Sequence, residues 1–162
     1  MNQEYFAVEL SSSIQLGFPL VDMATVAQFE QKDICIVPGV ASFWYGVVNF
    51  KGSLLWVLDT NRFFDLDVNL NSTSDRLNSK LTSVLLTHQI KGTQRRVALV
   101  VGKLQGLLKV ESSKLKSLPA SEPSSLQNLC TAAVETENQI TYILDSAAFL
   151  EQLHQQSTLV CA

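Results

Sequence analysis

One segment of this 162-residue chain occurs twice. Residues 54–64 (LLWVLDTNRFF) align without gaps on residues 140–150 (ITYILDSAAFL), at an offset of 145 − 59 = 86. In each copy a hydrophobic run ends in Leu58-Asp59 or Leu144-Asp145, a hydroxyl residue follows, and an aromatic stands three positions further on. A weaker correspondence joins residues 16–29 to 97–110, at an offset of 97 − 16 = 81. Self-similarity at a fixed offset marks repeated supersecondary units, here two of about 80 residues each. Whatever the chain folds into, it must be built from two similar lobes.

The units are made of strands. Phe6, Val8 and Leu10 alternate with Tyr5, Ala7 and Glu9; after Ser11-Ser12-Ser13, residues Ile14, Leu16, Phe18 and Leu20 alternate with Gln15, Gly17 and Pro19. A period of two is the strand signal, and the pair forms a hairpin. Residues 21–29 are expected to be a turn or short helix entering another strand, and the apolar run 34–37 stops at Pro38-Gly39. Residues 45–59 form a hairpin with Lys51-Gly52 in its turn. Leu55 and Val57 face one side and Leu54, Trp56 and Leu58 the other, so the arm is covered on both faces or offers one to a partner.

Asp59 or Thr60 then caps a short helix with Phe63-Phe64 on its buried side. Residues 67–80 are polar and read as a linker. The pattern restarts with strands at 81–88, 96–101 and 104–111, the first two joined by a turn at 89–94. A short Lys-bearing helix ending near Pro119, a loop at 120–127, a hairpin of 129–135 and 139–144, and a helix from Ala147 to about Gln155 complete the chain. Short strands on short turns favour closure over an open sheet, so the fold class is all-β with short helices, each lobe a five-stranded barrel.

Chemistry is hard to find. The seven glycines are scattered, with neither a phosphate loop nor a dinucleotide fingerprint. His88 and His154 stand alone, and no cysteine pair offers metal-ligand spacing. Asp59 and Asp145 hold matched places at strand-to-helix junctions, where a carboxylate caps helix N–H groups, so capping explains them better than a catalytic pair. No enzyme, metal or cofactor is expected. The net charge of −3, with no basic cluster longer than Arg95-Arg96, excludes the stripe a nucleic-acid binder needs. No apolar run reaches 18 residues, so no membrane-inserting helix is expected, and Met1-Asn2-Gln3-Glu4 lacks a basic leader region. Three widely spaced cysteines do not make a disulfide framework, and the cytoplasm is the expected compartment. Only 17% of residues are charged while 46% are hydrophobic, which leaves apolar surface for a partner.

Gly46-Val47-Val48-Asn49-Phe50-Lys51-Gly52, followed by the strand 54–59, resembles the CheW-like adaptor family of bacterial chemosensory systems. Ile36-Val37-Pro38 upstream, the valine-rich run 97–104 and the terminal Ile143-Leu144-Asp145 fit in the same order, and the resemblance spans residues 4–153. It implies one domain of two intertwined SH3-like β-barrel lobes, about 15–80 and 81–145, with strand exchange from the N-terminus and the C-terminal helix, and a tail at 154–162. It also implies a scaffold linking a methyl-accepting chemoreceptor's cytoplasmic tip, held in the groove between lobes, to the regulatory domain of a CheA-type histidine kinase, docked on a lobe edge. Carried over, the partner contacts are Asn49, Lys51, Gly52, Val26, Gln28, Val101 and Leu107.

Two positions depart from the family pattern. Lys51 replaces an Arg, a point charge in place of a planar fork, and Gln28 or Ala27 stands where the family has a facing Glu. If Gln28 meets Lys51, the contact is a hydrogen bond of roughly 1–2 kcal/mol. The joint change points to a divergent branch, of type IV pilus or phototaxis systems as readily as flagellar ones. Without the family, Gly52 and Asn49 serve the turn, Lys51 is a solvated charge, and Val26, Phe29, Val101 and Leu107 are core. A sequestering kinase regulator and a ligand-binding barrel with a deep apolar cavity are the alternatives.

Overall fold

A computed structural model describes residues 2–10, 14–66, 80–118, 128–136 and 139–160. Among the described residues the elements in order are β1 (Asn2–Glu9), β2 (Gln15–Pro19), β3 (Met23–Glu30), β4 (Trp44–Phe50), β5 (Ser53–Asp59), α1 (Thr60–Phe63), β6 (Lys80–Ile90), β7 (Thr93–Val101), β8 (Lys103–Glu111), β9 (Cys130–Thr136), β10 (Gln139–Leu144) and α2 (Ser146–Val160). Single 3₁₀ turns cover Leu20–Asp22, Gln31–Asp33 and Ser112–Lys114. The last stands where a Lys-bearing helix was expected, and the helix is reduced to that one turn. The turn expected at 89–94 is tighter too: β6 and β7 run to Ile90 and from Thr93, leaving Lys91-Gly92 between them. The expected turn at Ser11–Ser13 and the loops at 67–79 and 120–127 lie outside the described residues.

The strands form two five-stranded sheets, in the orders β8-β1-β2-β10-β9 and β3-β6-β7-β5-β4. Exchanging β1–β5 with β6–β10 turns one order into the other, so the repeat is a pseudo-twofold of the whole fold. The sheets do not follow the expected boundaries of 15–80 and 81–145. β2 pairs in parallel with β10, and β5 with β7, so the first two strands of each half complete the sheet of the other half. Neither half carries a whole sheet, and each must have the other's edges to satisfy its backbone groups.

Each sheet closes on itself by the same device. After β3 and a 3₁₀ turn, Cys35 pairs with Val47 of β4, with N–H to O distances of 2.7 and 2.9 Å. After β8 and its own 3₁₀ turn, Lys116 pairs with Ala133 of β9 at 2.8 Å in both directions, at the repeat offset of 116 − 35 = 81. The first closure needs Gly46, whose φ is +141° and whose absent Cβ would lie 2.1 Å from the Cys35 carbonyl oxygen. These closures make the lobes barrels.

Three cores result. Phe29, Val48, Leu55, Val57, Leu85, Ala98 and Val100 fill the first barrel, and Tyr5, Val110, Val134 and Ile143 the second. Alternate residues of the same strands, among them Val8, Leu16, Phe18, Val84, Leu86, Val97 and Leu99, point the other way into a larger core shared by both sheets. The strand-to-helix junctions meet over it. Asp59 Oδ1 accepts the Arg62 N–H at 3.3 Å, and Asp145 Oδ1 accepts the Ala148 N–H at 3.1 Å, so both carboxylates cap helices as their repeat positions require. The equivalent rings Phe63 and Phe149 touch edge to face, with centroids 5.0 Å apart. From there an aromatic chain runs through Phe43 and Trp44 to Trp56, in steps of 5.2, 5.4 and 5.0 Å.

Candidate partner-binding site

The β4–β5 hairpin presents Lys51 and Gly52 at its tip, both at positive φ (+51° and +82°). Positive φ at both central residues is the type I′ signature, whose twist matches the flanking strands. Asn49 Oδ1 accepts the Gly52 N–H at 3.0 Å and locks the turn. Lys51 is exposed, with its Nζ 5.3 Å from the centre of the Phe50 ring, and the Phe29 ring meets Phe50 edge-on at 6.1 Å. Lys91-Gly92 closes the β6–β7 hairpin with nearly the same angles, +52° and +80°. The Lys-Gly backbone geometry is therefore a property of the turn, and only the Asn49 bond and the aromatic bed under Lys51 set the first hairpin apart.

Gln28 does not meet Lys51. It is exposed on β3, opposite Thr82 of β6, and its Nε2 donates to Thr82 Oγ1 at 3.5 Å. Thr82 is also the partner of Val101 on β7, so Gln28, Thr82 and Val101 form one row across three strands. Val101 is buried in the shared core, while Val26, opposite Val84, is half-buried. The row continues into the other sheet: the Gly102 N–H donates to the Glu9 carbonyl at 2.9 Å, and Gln105 Nε2 reaches Glu9 Oε2 at 2.9 Å.

Leu107 lies on β8 of that second sheet, opposite Phe6, and is 56% exposed. Its repeat equivalent is Val26, since 107 − 26 = 81. The seven residues thus fall into two groups. Asn49, Lys51 and Gly52 form a hairpin tip, Gln28 and Val101 share a row across β3, β6 and β7, and Val26 and Leu107 lie on the edge strands β3 and β8. Other exposed apolar side chains were not among the expected contacts: Val21, Ile36, Leu54, on the hairpin face that could be offered to a partner, and Ile140, with Leu54 and Ile140 equivalent at the offset of 86. Strand alternation marks Leu54 and Ile140 as outward-facing but does not say which face a second layer covers, and Val21 and Ile36 lie outside the strands.

Among the described residues no group of three or more His, Cys, Asp or Glu side chains is placed to hold a metal ion, and no helix is long and apolar enough to cross a membrane. Burial, with the Asp145 carboxylate nearby, pushes the Cys130 thiol up to about 12, far from a nucleophile's range. Cys35 is exposed at the first barrel closure.

The fold defines a class: a double-barrel β protein with two interlocked lobes and a shared core. A family model for the CheW-like domain matches residues 4–154. The chain belongs to the CheW-like domain family. Among solved structures it is similar to the crystal structure of the scaffolding protein TtCheW from Thermoanaerobacter tengcongensis. That match has a TM-score of 0.67 and 16% identity over 90% of each chain. At that identity the likeness concerns the fold. Comparison with curated proteins gives no significant match.

Proposed function

We propose that this chain is a non-catalytic coupling scaffold that joins a CheA-type histidine kinase to the cytoplasmic tip of a chemoreceptor, in the cytoplasm at receptor arrays. The observation that carries this reading is the CheW-like match over nearly the whole chain, on a fold whose lobes form a margin between them. The TtCheW structure, described as a scaffolding protein, supports it. Val26, Gln28 and Leu107 are the receptor side, while Val101, carried over with them, is buried and serves the shared core. Asn49, Lys51 and Gly52 at the hairpin tip are the kinase side, where a rigid turn presents one cation over an aromatic ring. The missing Arg–Glu pair fits a branch serving type IV pili or phototaxis.

The test is calorimetric titration of the purified protein with the kinase regulatory domain and, separately, with a receptor-tip fragment. Lys51→Glu should weaken kinase binding by about ten-fold, or roughly 1.4 kcal/mol, and Leu107→Asp should weaken receptor binding, with far-UV dichroism unchanged. Wild-type binding by both variants would discard the site assignment. Absence of binding to either partner would discard the coupling reading itself.

A further inference from the structure

The sequence has two tryptophans, and both line one cleft. It holds about 260 Å³ and opens where β4, β5, the start of β7 and α2 meet. Trp44 and Trp56 form an angled wall, with ring centroids 5.0 Å apart and planes at 56°. Leu150 and Leu153 of α2 line it as well. Arg95 and Arg96 also line it, with Val40, Ala41, Val97 and His154, and among the described residues neither arginine has an ion-pair partner. Among the described residues no carboxylate lines the cleft, although the chain as a whole is acidic. Two unpaired guanidiniums beside an indole wall form a local positive, apolar hollow.

Its size and surroundings select the occupant. Small-molecule sites usually enclose about 300–1,000 Å³, so this hollow is short of a drug-sized ligand but suits one bulky side chain. The apolar surface also continues beyond it: Leu54, two residues before Trp56 on the same face of β5, is 73% exposed. An anchor in a pocket with an apolar strip alongside and charges at the rim is how extended peptides are held. Arginine is suited to the rim because its fork binds carboxylates bidentately. A nucleic acid would need many more phosphate contacts than two arginines supply.

We propose that this cleft docks an acidic peptide segment of a partner protein, one apolar side chain entering between the indoles and α2, with flanking carboxylates on Arg95 and Arg96. The site shares no residue with the kinase and receptor contacts assigned above, so it stands or falls separately from them. Because Trp44 and Trp56 are the chain's tryptophans, its intrinsic emission reports the cleft directly.

The experiment titrates the full chain with a twelve-residue peptide of leucines and one phenylalanine flanked by glutamates. Its lysine counterpart and a ten-nucleotide oligothymidylate serve as the other arms. The expected result is a saturable emission change with the acidic peptide alone. In the Arg95→Ala/Arg96→Ala variant it should weaken by about ten-fold, and in Arg95→Lys/Arg96→Lys by less. The Lys pair retains the charge and separates its loss from any change in the fold. Equal response to the lysine peptide, a response to the oligonucleotide instead, or no saturation up to millimolar peptide would overturn the proposal.

Discussion

Phe149→Ala probes the joint between the repeats. The ring is fully buried, meets Phe63 edge to face at 5.0 Å and stacks on Phe64 at 6.1 Å. Truncating a buried phenylalanine costs about 3–5 kcal/mol, the spread depending on how far the site collapses. Phe63 is only half-buried, so Phe63→Ala should cost less, about 2 kcal/mol. Edge-to-face pairs contribute about 0.5–1.5 kcal/mol beyond their burial. The double variant should therefore fall short of the sum of the singles by about 1 kcal/mol. For a chain of this length about 1 kcal/mol moves Tm by roughly 2–4 °C, which puts Phe149→Ala about 6–20 °C below wild type.

The assay is urea unfolding of the four proteins of the cycle, followed by far-UV dichroism and by tryptophan emission, with slopes compared as well as midpoints. The shared core holds residues from both sheets, so both probes should give one transition. Additivity within about 0.3 kcal/mol would refute the seam contact. Two separated transitions would refute the interlocked lobes.

Gly46→Ala should destabilise by more than about 2 kcal/mol and expose the first barrel's edge, since its Cβ would strike the Cys35 carbonyl in a backbone region that alanine avoids; amide exchange at Cys35 and Val47 would read the lost closure. In a Cys161→Ser background at pH 8, Cys35 should react with a thiol reagent while Cys130 stays inert until unfolding. A rise from 9.0 to about 12 lowers the thiolate fraction of Cys130 by about a thousand-fold. Because burial raises both the Cys130 and Tyr5 values, the folded state holds their protons more tightly than the unfolded one. Their contribution is then complete below about pH 9 and lost as pH climbs towards 12, so alkaline melts should show Tm falling across that window. Asp145→Ala and Asp59→Ala should each cost about 1 kcal/mol, with Asn at either place restoring most of it, by thermal melts.

How much was legible before the fold was known depends on which interactions are local. The strands, the Lys51-Gly52 turn and both aspartate caps follow from alternation, turn chemistry and helix-end chemistry, which act within a few residues. The repeat gave the two lobes. It could not give the exchange of β1–β2 and β6–β7 between sheets, because strand pairing across 80 residues leaves no local trace. Alternation likewise placed Leu54, Trp56 and Leu58 on one face but could not show that Leu58 is covered by the shared core while Leu54 is bare. The Trp44–Trp56–Arg95 cleft joins residues distant in sequence. Gln28 was set against Lys51 by family analogy. The β3–β6 register instead puts it beside Thr82.

The coupling role is tested most directly by reconstitution. Receptor-containing membranes and a CheA-type kinase are combined with increasing amounts of this protein, and kinase autophosphorylation is followed. A scaffold raises the receptor-coupled rate to a maximum and lowers it again only in excess, when separate kinase and receptor complexes replace the bridged one. A monotonic fall from the first addition would identify a sequestering regulator, and no change at any concentration would contradict the account.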